Sequence, residues 1–421
     1  MAARRRSRGA AALALSATLA TLAACGGGSS GGEGTEITWF VAIQPGGSIQ
    51  EIAARCSEQS GGEYNIQLEL LPTDADPQRE QLVRRLGAED SSIDLIGMDV
   101  IWTAEFANAG WLQEYPAELR DQVTKDVFDS VIDTASFEGK LYGAPFNSNT
   151  ELLFYRKDKV EKAPKTWEEM ITEAERIGTT IQVQASRYEG YTVWVNAMIS
   201  SAGGKVLDGP EEPSLEEAPT SEALATIGAL ANSSAASADI DTSDEDSARL
   251  AFEAESSDFM INYPFAYGSA KENAPEVFKN IAVAQYPRVV ADQPSNPPLG
   301  GFNIGVSSFS ENPELAFDAA ACIGSAESQL TATELDGLPP TRSNLYTEKV
   351  VRDAYPGFED VIKDSIEAAT PRPLTPAYTD LSLAIQRSLH PPAEIDPEDP
   401  SAAYDSLLEA VEDAVKREGL L

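Results

Sequence analysis

Residues 93–112 read IDLIGMDVIWTAEFANAGWL. The apolar run from Ile93 to Met98 is too short for a helix and reads as a buried strand ending at Asp99. Trp102 to Ala109 reads as a helix, closed by Gly110. The same alternation precedes it. Glu36 to Ile43 (EITWFVAI) reads as a first strand, and Gly46-Gly47-Ser48 opens a helix through Cys56. Tyr64 to Leu71 alternates polar and apolar residues as a second strand. Pro77 to Leu86 is helical, with Leu82, Val83 and Leu86 on one face. Strands alternating with helices predict an α/β sheet.

Further along, Glu138 to Pro145 (EGKLYGAP) forms a hairpin-like turn that feeds an extended run through Arg156. Thr166-Trp167-Glu168-Glu169 is a capping box: the Thr166 hydroxyl takes the Glu169 amide and the Glu169 carboxylate reaches back. A helix follows through Ile177. Tyr191 to Ser201 is an apolar helix closed by Gly203-Gly204. Residues 208–222 and 232–247 are rich in Pro, Glu, Ser and Asp and read as exposed loops. Leu250 to Ala254 and Pro313 to Ile323 are helical; Phe259 to Asn262 and Gly300 to Ser307 are extended. Leu338-Pro339-Pro340-Thr341-Arg342 breaks the pattern. The C-terminal third is helical and ends in an amphipathic stretch from Ala402 to Lys416. There is no internal repeat.

The chain opens with Arg4, Arg5, Arg6 and Arg8, then a small-apolar run from Ala10 to Ala20 that ends in Leu22-Ala23-Ala24-Cys25. A basic start, a short apolar run and small residues before a cleavage point make residues 1–24 a secretory signal. A cysteine after Leu-Ala-Ala resembles a bacterial lipobox, which implies that Cys25 is lipidated and that residues 25–34 are a flexible tether. The working part is then extracytoplasmic, held at the outer face of the cell membrane by that lipid alone. The whole chain carries 68 acidic and 31 basic residues; removing the four leader arginines leaves 27 bases and a balance of −41. Such a surface repels nucleic acid and anionic lipid and disfavours an anionic ligand. With Cys25 lipidated, Cys56 and Cys322 remain, and in an oxidising compartment they pair. The single histidine, His390, lies between Leu389 and two prolines, a poor place for the imidazole that His-based triads and metal sites require. No cofactor is expected.

Over essentially all of its mature part the chain resembles the extracellular sugar-binding proteins of ATP-driven importers, the maltose-binding-protein class. The residues carrying this are the lipobox, IDLIGMDVIWTAEFANAGWL, GKLYGAPFNSNTELLFYRKD, KTWEEM, AFEAESSDFMINYPFAY, GGFNIGVS and LPPTRSNLY. Within the class, RYEGYTVWVNAMISSAGG and PRPLTPAY are most similar to actinobacterial trehalose-binding lipoproteins of the LpqY type. The resemblance implies an α/β, two-lobed periplasmic-binding-protein-like fold with three hinge crossings and a ligand cleft between the lobes. Mapped here, lobe one is 35–146 plus 300–340 and lobe two is 147–299 plus 341–421. The crossings fall near Ala144–Asn149, Leu299–Phe302 and Leu338–Arg342.

A disaccharide offers hydroxyls and weakly apolar ring faces, so its site needs carboxylates, amides, an arginine and aromatic platforms. Asp99 either accepts two sugar hydroxyls or caps the helix containing Trp102, itself read as core. Asn147 and Asn149 lie on the first crossing, and the resemblance favours Asn149 as a ligand group; turn formation is the alternative for both. The RYEG match makes Glu189 a hydroxyl acceptor and Tyr188 a stacking platform, although a glutamate in a first helical turn also suits the dipole. Trp194 reads as a second platform or as core. Tyr263 falls where the class places a cleft aromatic; the trehalose binders it resembles have Trp there. Gly300 and Gly301 allow close backbone approach to ligand, or serve hinge geometry alone. Asn303 orders the crossing. Arg372 matches a ligand-contacting arginine, with a salt bridge as its alternative. Gln44, Asp74 and Glu80 complete the candidates.

The class implies a monomer that captures a neutral α-linked disaccharide (trehalose first, maltose or maltodextrin second), closes, and docks on permease subunits driven by a cytoplasmic ATPase, with no chemistry of its own. Two other readings stay open. Asp99 and Glu189 could form a glycosidase carboxylate pair, or closure could signal to a membrane partner in a sensor.

Overall fold

A computed structural model of the chain describes residues 34–72 and 75–416. The leader, Cys25, most of the tether and Asp74 lie outside the described residues. Two sheets organise the rest. In the first, strands Thr35–Ala42, Tyr64–Leu71 and Leu95–Asp99 run parallel. The long strand Pro298–Val306 lies antiparallel to Leu95–Asp99 on one side and to Gly143–Thr150 on the other. Thr370–Pro371 pairs with its first residues, Pro298 and Leu299. In the second sheet, Leu152–Arg156 is flanked antiparallel by Ile281–Ala284 and by Phe259–Asn262, and Ile181–Gln182 completes it. The fold is the α/β, two-lobed architecture expected from the sequence, one lobe built on each sheet.

The chemistry of the strands explains their depth. Ile37, Trp39, Leu95 and Ile96 are fully buried, and removing each such side chain from water contributes roughly 1.5–3 kcal/mol. Helices Ser48–Gln59 and Pro313–Ile323 cover this sheet. Cys56 and Cys322 form a disulfide between those two helices, closing a separation of 266 residues. A second core gathers Trp167, Tyr191, Trp194, Met198, Ile385 and Leu407 around the other sheet. A third straddles the two lobes, drawing Val127, Phe128 and Val131 in with Phe154, Phe252, Leu299, Tyr346 and Ile362.

Several local readings shift. Helix Glu217–Ala231 begins inside the stretch 208–222 read as loop, and helix Glu245–Glu253 inside 232–247. The Thr166 hydroxyl does accept the Glu169 amide at 3.1 Å. The Glu169 carboxylate, however, takes the Lys165 amide at 2.7 Å, one residue earlier than a reciprocal box. Glu138 and Gly139 have φ of 49° and 74°, the left-handed pair that a tight hairpin between Ser136–Phe137 and Lys140–Leu141 needs. Among the described residues no helix is long and apolar enough to cross a membrane.

Candidate ligand cleft

Asp99 ends a strand whose preceding four residues are buried, so its side chain emerges at the sheet's carboxyl edge. Its Oδ1 accepts the Ile101 amide at 3.2 Å, an Asx turn. It also accepts Arg372 Nη2 at 3.3 Å. The following helix starts at Thr103 with Trp102 in the cap position, so Asp99 is not its cap. Trp102 is core, 5.9 Å from Phe106 ring to ring.

Glu189 opens helix Glu189–Ser201, whose inner face packs on the second sheet. Its Oε1 accepts Arg372 Nη1 at 2.6 Å and the Tyr378 hydroxyl; its Oε2 accepts the Ser382 hydroxyl at 2.6 Å. Three donors thus already sit on the carboxylate that was expected to take sugar hydroxyls, and it orients Arg372. Burial pushes the Glu189 carboxyl up, while Arg372 and the two hydroxyls pull it down. Arg372 is 5% exposed. Burial works against its charge, but Tyr378, Asp99 and Glu189 outweigh that and hold the guanidinium protonated. The salt bridge expected as its alternative role is therefore present, and it joins a residue of each lobe.

Tyr188 is half-buried, and its hydroxyl donates to Glu245 Oε2 at 2.6 Å. A Cβ on Gly190 would stand 2.2 Å from that hydroxyl, so only glycine lets the ring fold over the helix start. Asn262 fixes the opposite wall: its Nδ2 donates to the Glu245 carbonyl at 2.9 Å and its Oδ1 accepts the Tyr263 amide at 2.8 Å. Tyr263 is half-buried beside it. Burial raises its phenol well above the ordinary value, with Glu151 and Glu245 adding to the effect.

Asn149 is half-buried on the first crossing, its Oδ1 taking the Thr150 amide at 3.2 Å. Asn147 is 2% exposed, bridges through its backbone to Pro340 at the third crossing, and leaves its side-chain Oδ1 without a partner among the described residues. Gly301 has φ of 125°, and a Cβ there would meet the Asn147 carbonyl at 2.2 Å. Hinge geometry therefore demands this glycine, whereas Gly300 has only ordinary contacts with Asn149. Asn303 donates to the Thr134 hydroxyl at 3.2 Å and orders the crossing, as read. Trp194 as a platform is corrected. It is 1% exposed, packed 5.9 Å from Trp167 and 6.1 Å from Tyr191 in the second lobe's core. Glu80 is an exposed helix residue paired with Arg84.

Two cleft residues escaped the sequence reading. Glu245 fell in a stretch read as loop. The pattern Asp244-Glu245-Asp246-Ser247, which forms a reciprocal cap, was the signal for a helix start there. Glu151 sits in the extended run at 1% exposure. The group thus has four carboxylates (Asp99, Glu151, Glu189, Glu245), one guanidinium and three phenols. A pocket of about 510 Å³ adjoins Arg372, walled by residues as distant in sequence as Asp133, Phe137, Asn196 and Lys205. Of the group just named, Arg372 alone lines it. Within that group Asp99 and Glu189 share Arg372, and Glu245 takes the Tyr188 hydroxyl.

Residues 52–358 match the sequence model of the bacterial extracellular solute-binding proteins. A probable ABC transporter-binding protein of Deinococcus radiodurans is 28% identical over 326 residues, 74% of this chain and 76% of the relative. The diacetylchitobiose binding protein DasA of Streptomyces coelicolor is 22% identical over 73% of this chain and 75% of its own length. Among solved structures, maltose-bound MalE3 of T. maritima superposes with a TM-score of 0.79 at 24% identity, over 91% of this chain and 99% of that one. Fold and family match agree, and the chain belongs to the bacterial extracellular solute-binding proteins.

Proposed function

We propose that the protein captures a neutral α-linked disaccharide, trehalose first and maltose or short maltodextrins second, and hands it to the permease of an ABC sugar importer whose ATPase is cytoplasmic. The carrying observation is Arg372, held at once by Asp99 of the first lobe and Glu189 of the second. A guanidinium so fixed presents its remaining donor surface and the Tyr263 and Tyr188 rings to a sugar. The maltose in the MalE3 structure and the disaccharide in DasA's name support a sugar of this size. The lobes would be 35–146 plus 300–340 and 147–299 plus 341–421. They would swing about the three crossings, with ligand favouring the closed state because only that state contacts it from both sides. Lipid on Cys25 would keep a monomer at the outer face of the cell membrane. Asp99, Asn149, Tyr188, Tyr263, Gly300 and Arg372 would meet the sugar.

Calorimetric titration of residues 26–421 with trehalose, maltose and diacetylchitobiose tests this. One-to-one trehalose binding that Asp99→Ala abolishes is the expected result; heat with diacetylchitobiose alone would replace the α-linked assignment. Incubation with trehalose should release no glucose, because the Glu189 carboxylate is committed to Arg372, Tyr378 and Ser382.

A further inference from the structure

Among the described residues, Glu151 is the one carboxylate of this group with no hydrogen-bond donor. Asp99 takes an amide and Arg372, Glu189 takes three donors, and Glu245 takes the Tyr188 hydroxyl. Glu151 is 1% exposed, forms no salt bridge, and its Oε2 has no hydrogen-bond partner. Period-two alternation along the extended crossing puts it on the same side as Asn149. Five titratable groups interact with it electrostatically. They are Glu245 at the start of its helix, Tyr263 after strand Phe259–Asn262, Arg372 after Thr370–Pro371, Tyr286 after Ile281–Ala284, and Tyr188 ahead of its helix. Only one of these is a cation, and it is already shared by Asp99 and Glu189.

We propose that Glu151 is a specificity residue of the cleft that works as the neutral acid, its hydroxyl donating to a sugar oxygen beside Tyr263, and that ionising it expels the ligand. This rests on the sugar-binding reading above. A buried carboxyl that finds no donor and faces another carboxylate holds its proton, because the charged form has neither water nor a partner. Burial first, then Glu245, lift the Glu151 carboxyl from 4.5 to about 8, Arg372 opposing. The sign follows: the native state keeps a proton that the unfolded chain releases above pH 4.5. Stability therefore declines as pH rises from there to about 8 and levels off beyond.

The test compares the wild type with Glu151→Gln and Glu151→Leu, using melting temperature and trehalose and maltose titrations from pH 6 to pH 10. The amide keeps a donor and cannot ionise. Wild-type affinity should fall about tenfold for each pH unit above the Glu151 value, and Glu151→Gln should be flat. Glu151→Leu should remain folded and bind about tenfold more weakly at pH 6. Parallel pH profiles for wild type and Glu151→Gln, in either affinity or melting, would overturn the proposal. Silence with both sugars in every form would overturn the disaccharide reading. The melting profile would still decide the proton: a decline with pH that Glu151→Gln removes keeps Glu151 neutral, and its absence does not.

Discussion

Arg372 Nη1 lies 2.6 Å from Glu189 Oε1 across 183 positions of sequence. The pair is shielded from water, the Tyr378 and Ser382 hydroxyls complete the carboxylate, and the same guanidinium reaches Asp99. Removing one partner of such a pair leaves an uncompensated buried charge and costs about 3–5 kcal/mol. Arg372→Ala should therefore lower the denaturation midpoint sharply and abolish sugar binding. Arg372→Lys should recover part of the stability but not the binding, because an ammonium cannot reproduce the planar fork. Denaturant melts with parallel calorimetry check both; full binding by the lysine variant would remove Arg372 from the ligand.

Gly301 and Gly300 are neighbours with different demands. At Gly301 a methyl would meet the Asn147 carbonyl in a backbone conformation that L side chains avoid. Gly301→Ala should cost more than about 1 kcal/mol and alter opening and closing rates. Gly300→Ala should be nearly silent in stability. Thermal melts and stopped-flow fluorescence separate the two; equal effects would contradict the geometry.

Tyr188 leans over a residue that has no side chain. Gly190→Ala should push the phenol off Glu245 and weaken binding without unfolding the helix, since alanine favours that conformation. Tyr188→Phe removes only the hydroxyl, leaving the Glu245 carboxylate less satisfied, and should cost about 1–3 kcal/mol while keeping the ring face. Circular dichroism and titration report the two losses independently.

The Cys56–Cys322 disulfide closes a long loop within the first lobe. Reduction, or Cys56→Ser with Cys322→Ser, should cost about 2–5 kcal/mol. Sugar affinity of the remaining folded protein should not change, because Cys56 belongs to the first sheet's hydrophobic core and Cys322 packs against it. A large affinity loss in the reduced, folded protein would show that lobe one's outer helices govern the cleft.

The elements with sharp chemical edges were legible in the sequence. Tyr64–Leu71, read from alternation, and Phe259–Asn262 and Pro313–Ile323 have the bounds expected of them. Helix Glu217–Ala231 hid behind Pro213 and Pro219, whose composition resembles a loop although proline is tolerated in a first turn. The cleft divided along similar lines. Asp99 and Arg372 could be named because strand end and family pattern marked them. Glu151 and Glu245 could not, because a chain with 68 acidic residues gives no local sign of which few gather around Arg372. Burial of Trp194 was equally invisible: an aromatic at that spacing serves core or platform, and only the neighbouring Trp167 decides.

Tyr378 begins helix Tyr378–Leu389, whose Leu381, Ile385 and Leu389 belong to the second lobe's core. Tyr378 itself is seated with Phe40, Trp102 and Phe106 in the first lobe. One helix is thus moored on both shores. Parting the lobes means drawing an aromatic ring out of an oily berth as well as breaking ionic contacts. The escape of cargo should accordingly be slow, nearly indifferent to ionic strength, and steeply dependent on temperature.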